Sequence, residues 1–169
     1  MGTVSTVFER PSDQFDPIGS VFPQSVRFAG TNFPVEGLAF DAGADEACVA
    51  KFKAKSYGSG NITAILTWYG DSASSGVVRW GAAIACITPE SDTQDVETDS
   101  FATENTVDDT HLGTTAQRLH NATITISNLD SIAADDIVFL RIRRVGSNAA
   151  DTMTGDAILV CVELTYSDT

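Results

Sequence analysis

The chain predicts an all-β fold: an antiparallel β-sandwich, jelly-roll-like, preceded by an extended N-terminal arm. Three observations carry this. Apolar and polar residues alternate with a period of two in runs from Ala47 to Tyr166, the spacing of a strand with one buried face. The runs are rich in Val, Ile, Thr, Trp and Tyr and are separated by Gly, Ser, Asn and Asp, which favour turns. A long acidic connection from Pro89 to Thr115 divides early strands from late ones and favours a crossover over a simple meander. With 169 residues, 43% of them hydrophobic, the chain fits one domain plus a tail.

The arm comes first. Five of the nine phenylalanines, Phe8, Phe15, Phe22, Phe28 and Phe33, fall in the first 33 residues, and Pro11, Pro17, Pro23 and Pro34 exclude a continuous helix there. A segment so apolar is costly to leave in water and must lie on something, either the chain's own body or a neighbour's. Residues 1–34 therefore read as an extended arm anchored by those five rings, and residues 35–169 as a sandwich that folds without it.

In the body, Val35 to Phe40 forms a short strand. Ala47 to Lys55 sets Cys48, Ala50, Phe52 and Ala54 inward against Val49, Lys51, Lys53 and Lys55. The Gly58-Ser59-Gly60 turn then suggests a hairpin with Asn61 to Tyr69, in which Ile62, Ala64, Leu66 and Trp68 alternate inward. Val77 to Thr88 follows, the acidic connection holds at most one short strand, and Ala116 to Ser127 and Asp135 to Val145 resume the alternation. Gly155 to Tyr166, with Ile158, Val160, Val162, Leu164 and Tyr166 assigned to one face, is the most apolar strand and hence central.

Composition excludes some functions. A net charge of -13 argues against nucleic acid as a partner, because phosphate binding needs clustered Lys and Arg. The two dense basic groups, Lys51, Lys53 and Lys55, and Arg141, Arg143 and Arg144, read as solvated strand faces. Cys48, Cys86 and Cys161 lack Cys-x-x-Cys spacing and a nearby histidine, which points to buried free thiols and synthesis in a reducing cytoplasm. No leader-like start and no long apolar run is present, so no membrane association is expected.

Catalytic chemistry is not evident. His111, in the acidic connection, and His120, at a strand start, read as surface imidazoles. No nucleophile elbow, zinc-protease helix or phosphate-binding glycine loop occurs, and the acidic connection lacks calcium-loop spacing, so no enzyme activity, cofactor or metal is expected. Trp68 and Trp80 share faces with Leu66 and Ile84 and belong to the core. Tyr69, on the outer face beside a Gly-Ser loop, is the best candidate for stacking on a sugar.

Several phrases, NITAILTWY from Asn61, GVVRWGAAIACI from Gly76, ATITI from Ala122 and the ending GDAILVCVELTYSD, resemble small all-β virion proteins of tailed bacteriophages, especially capsid decoration or cement proteins. That resemblance implies a homotrimer on the outer capsid surface of the virion, partnered with the major capsid protein and stabilising its lattice. The alternative it leaves open is a phage tail-fibre or receptor-binding module recognising a host glycan through Tyr69.

Overall fold

The computed structural model describes residues 2–72, 75–113, 115 and 117–168. In chain order they form β1 (Thr3–Phe8), a one-turn helix α1 (Pro11–Gln14), β2 (Asp16–Ile18), β3 (Gln24–Phe28), β4 (Val35–Phe40), β5 (Asp45–Lys53), β6 (Tyr57–Gly70), β7 (Gly76–Ile87), β8 (Asn105–His111), β9 (His120–Ile126), β10 (Ile137–Val145) and β11 (Ala157–Asp168). One antiparallel sheet runs β3-β4-β11-β6-β9, with β1 also on β11, and the other runs β2-β5-β10-β7-β8. The inner faces of both meet in one core, in which Trp80 packs edge-on against Trp68 at 5.9 Å and Phe40 at 5.2 Å. The all-β sandwich is as the sequence predicts, and β11 is the central strand of its sheet.

Residues 2–34 are largely extended, but they lie on the chain's own sandwich. β4 pairs with β11 only over Ala157 to Leu159, leaving the rest of that edge open, and β1 fills it from Phe8↔Val162 to Thr3↔Ser167. Pairing this edge satisfies backbone groups that would otherwise be exposed. Pro11, at the first helical position, starts α1 and carries the chain around to the second sheet, where β2 pairs with β5. β3 then returns to pair with β4. The proposed anchors divide accordingly: Phe8 and Phe15 are core residues in edge contact at 5.1 Å, whereas Phe22, Phe28 and Phe33 are exposed.

Two local expectations fail for identifiable reasons. β5 and β6 are not a hairpin. The Ala54 N–H donates to the Asp136 carbonyl and the Ala54 carbonyl accepts from the Asp135 N–H, which turns the chain at a corner, so β5 pairs with β10 and β6 with β11. Alternation reveals a buried face but not the sheet to which that face belongs. In β11, a register shift between Leu159 and Cys161 inserts one residue. Ala157, Leu159, Val162 and Leu164 therefore face the core, while Ile158 and Val160 join a second apolar cluster on the sheet's outer face.

Candidate functional site

That second cluster is the floor of the site. Across the outer face of the first sheet, Ala39, Ile158 and Tyr69 lie in register on β4, β11 and β6, with Val26, Val35 and Val160 packed around them. Close strand approach here needs a glycine: a Cβ on Gly37 would stand 2.5 Å from the Leu159 carbonyl oxygen. The hairpin of β3 and β4 carries Phe28 and Phe33 to the rim. Phe28 meets Tyr69 edge-on at 6.4 Å, and Gln117 and Leu119 close the opposite side. The result is a cleft of about 470 Å³ with no charged side chain in its lining.

Tyr69 thus lies on the predicted outer face but is covered, only 4% exposed, while Phe33 is 70% exposed and Leu119 59%. Burial and the nearby Asp71 carboxylate raise the Tyr69 phenol above its ordinary range, so it stays a neutral hydroxyl at physiological pH. Toward the middle of the sheet the same face turns polar. Thr67 Oγ1 donates to Asn121 Oδ1 at 2.8 Å, and Thr123 and Thr125 continue the row on β9. The structure brings Tyr69 together with Phe28 and Phe33, residues that sequence placed in different roles. Phe22 lies outside this lining, and Phe8 and Phe15 are in the core.

The remaining reactive groups are structural in placement. His111 is fully buried, not at the surface. Its Nδ1 accepts from the Gly113 N–H at 3.1 Å, and its ring lies 4.9 Å from that of His120, with both flanking Trp68. The Trp68 indole donates to Asp109 at 2.7 Å. Carboxylates of the acidic connection cap local turns, Asp92 accepting from the Thr88 N–H and Asp95 from the Glu97 N–H. Cys48 and Cys86 are buried free thiols and Cys161 is half-buried; burial pushes the Cys86 thiol up to about 12. Among the described residues no three His, Cys, Asp or Glu side chains form a metal-binding group.

No protein-family model and no curated protein matches the chain in sequence. Its fold is that of a solved carbohydrate-binding module, the CBM36-1 domain of a multidomain xylanase from the hindgut metagenome of Trinervitermes trinervoides. The two are 12% identical, with a TM-score of 0.51 over 95% of this chain and 96% of that one. A family 11 carbohydrate-binding module from Clostridium thermocellum, in complex with a β-1,3-1,4-mixed-linked tetrasaccharide, matches at 9% identity over 96% and 87% of the two chains, TM-score 0.46. A CBM36 module in complex with calcium and xylotriose matches at 12% over 97% and 99%, TM-score 0.45.

The first of these overturns the likeness to phage decoration proteins, and with it the capsid-cement role, the bacteriophage virion reading and the major capsid protein as partner. The physical reason is plain: NITAILTWY and the other phrases encode alternating strands that many sandwiches share. Two of the five rings that suggested an assembly arm are moreover used in the chain's own core.

Proposed function

We propose that the protein is a non-catalytic glycan-binding module and that the Phe28–Phe33–Tyr69 cleft takes a neutral sugar. The observation that carries this reading is the convergence of three aromatic rings in an uncharged, open cleft beside a row of Thr and Asn side chains. A pyranose presents an apolar C–H face and a rim of hydroxyls. Aromatic faces are complementary to the first, through burial and the ring quadrupole, and neutral hydroxyl and amide groups to the second. Carbohydrate-binding modules among the solved structures that share the sandwich support the same reading.

Isothermal titration of the full chain with xylan and mixed-linkage β-glucan oligosaccharides tests it. Phe33→Ala removes an exposed ring without touching the core, and affinity is expected to fall about tenfold, roughly the 1.4 kcal/mol of one lost stacking contact. A chain that binds none of these sugars, or binds them equally well with Ala at 33, refutes the assignment.

A further inference from the structure

The opposite face of the sandwich carries a different surface. In a chain with 23 acidic and 10 basic residues, Lys51 and Lys53 lie on a strand about ninety positions from that of Arg141 and Arg143, yet pairing of β5 with β10 puts the four on one sheet face. Arg141 stands opposite Val49, Arg143 opposite Ala47, and Lys51 opposite Phe139. Exposed charges beyond about 8 Å are screened at physiological salt, so a ligand there meets this local set and not the net charge of the molecule.

The guanidiniums are held in place from behind. Glu104 bridges them, accepting from Arg143 Nη2 at 2.6 Å and Arg141 Nη2 at 3.2 Å, and it fits because β7 has Gly81 there, where a Cβ would meet the carboxylate carbon at 2.5 Å. Arg141 also lies over the Phe101 ring, 4.8 Å from its centre. Their donors are not used up. The Nε of both arginines is buried and so out of a ligand's reach, but each guanidinium contacts Glu104 through Nη2, leaving Nη1, which in Arg143 makes a long ion pair to Asp45 at 3.8 Å. Both side chains line a groove of about 300 Å³ whose other walls include Ser20, Val21 and Asp45.

We infer that this groove is a second carbohydrate site, for a sugar bearing a carboxylate, that is, a uronic-acid glycan. Two planar guanidiniums with spare donors match a carboxylate. Asp45 and Ser20 need a ligand that donates, which a uronate does through its ring hydroxyls. An acidic peptide of Asp and Glu brings carboxylates with no neighbouring hydroxyls to meet Asp45. The inference does not rest on the aromatic cleft, since the two sites lie on different sheets.

Titration of the full chain with oligogalacturonate and oligoglucuronate, each beside its carboxyl-reduced counterpart, tests the inference. The acidic sugars are expected to bind at least tenfold more tightly than the reduced ones, to weaken with added salt, and to lose binding in Arg141→Gln and Arg143→Gln. Arg141→Lys keeps the charge and the fold but loses the planar fork, and should show an intermediate loss; Phe33→Ala should leave acidic-sugar binding unchanged. Equal affinity for acidic and reduced sugars, no binding of either, insensitivity to both Gln variants, or equal binding of polyglutamate overturns the inference.

Discussion

Truncating Phe8 or Phe15 distinguishes an arm that serves a neighbour from a strap that completes its own core. Each ring is at least 94% buried, and burial of that degree makes Phe→Ala cost about 3–5 kcal/mol from lost transfer energy plus the cavity left behind. The rings touch edge-on at 5.1 Å, so the double variant should fall short of the sum by about 0.5–1.5 kcal/mol. A domain of this kind has roughly 5–15 kcal/mol in total, so the double variant approaches the unfolding limit. Urea titration followed by Trp68 and Trp80 fluorescence reads the effect. With a slope of about 2 kcal/mol per molar, each single change should lower the midpoint by about 1.5–2.5 M. Phe33→Ala, at an exposed ring, should stay within about 0.5 kcal/mol. If Phe8→Ala and Phe15→Ala shift the midpoint no more than Phe33→Ala does, the packing argument is wrong. By the same logic residues 35–169 alone are expected not to fold, since they lack both rings and the β1 edge pairing.

Acid should destabilise the fold through His120, whose pKa is held below the ordinary histidine value by burial and then by His111 and Arg118, Asp109 opposing. The unfolded chain binds that proton first, so stability declines as pH falls through about 6.5 and goes on declining to the folded value. The urea midpoint at pH 5.5 should lie below that at pH 7.5, and His120→Asn should shrink the difference; an unchanged difference excludes His120 as the cause. Glu46 and Asp156, raised by burial, act in the opposite sense but only in the carboxylate range. Arg144→Met should cost about 3–5 kcal/mol by thermal or urea unfolding, because it leaves the fully buried Asp151 carboxylate without its cation. Arg144→Met with Asp151→Leu should recover much of that loss, and equal instability of the single and double variants contradicts the charge argument.

The strands of the body were legible from their alternation and β-branched content: Val35–Phe40 is matched residue for residue, and Ile62, Ala64, Leu66 and Trp68 of β6 face inward as predicted. Burial of His111 was not legible, because its neighbours in β8 are acidic and polar and the space it fills beside Trp68 is made by other strands. Nor was Arg144. It ends a run of three basic residues that looks solvated, yet it donates to both Asp151 oxygens and to the carbonyls of Phe40, Met153 and Gly155. Those acceptors converge only once the connection between β10 and β11 and the end of β4 have closed around Arg144, and nothing local in the sequence announces them.

The aromatic cleft depends on the least legible feature of all, the extra residue in β11. Strict alternation would put Ile158 and Val160 on the same face as Val162 and Leu164, with Ala157, Leu159 and Cys161 turned outward. The register shift after Leu159 instead keeps Val162 and Leu164 in the core and turns Ile158 and Val160 outward, so the sheet is apolar on both sides at this one end. An apolar outer face needs cover. The β3–β4 hairpin supplies it incompletely: Phe28 reaches Tyr69, while Phe33 and Leu119 remain open to solvent at the rim. A face built to be dry and only partly closed is where a ligand with an apolar side gains most from binding. One inserted residue thus accounts for the misassigned face of β11 and for Ile158 and Val160 being the side chains that floor the cleft.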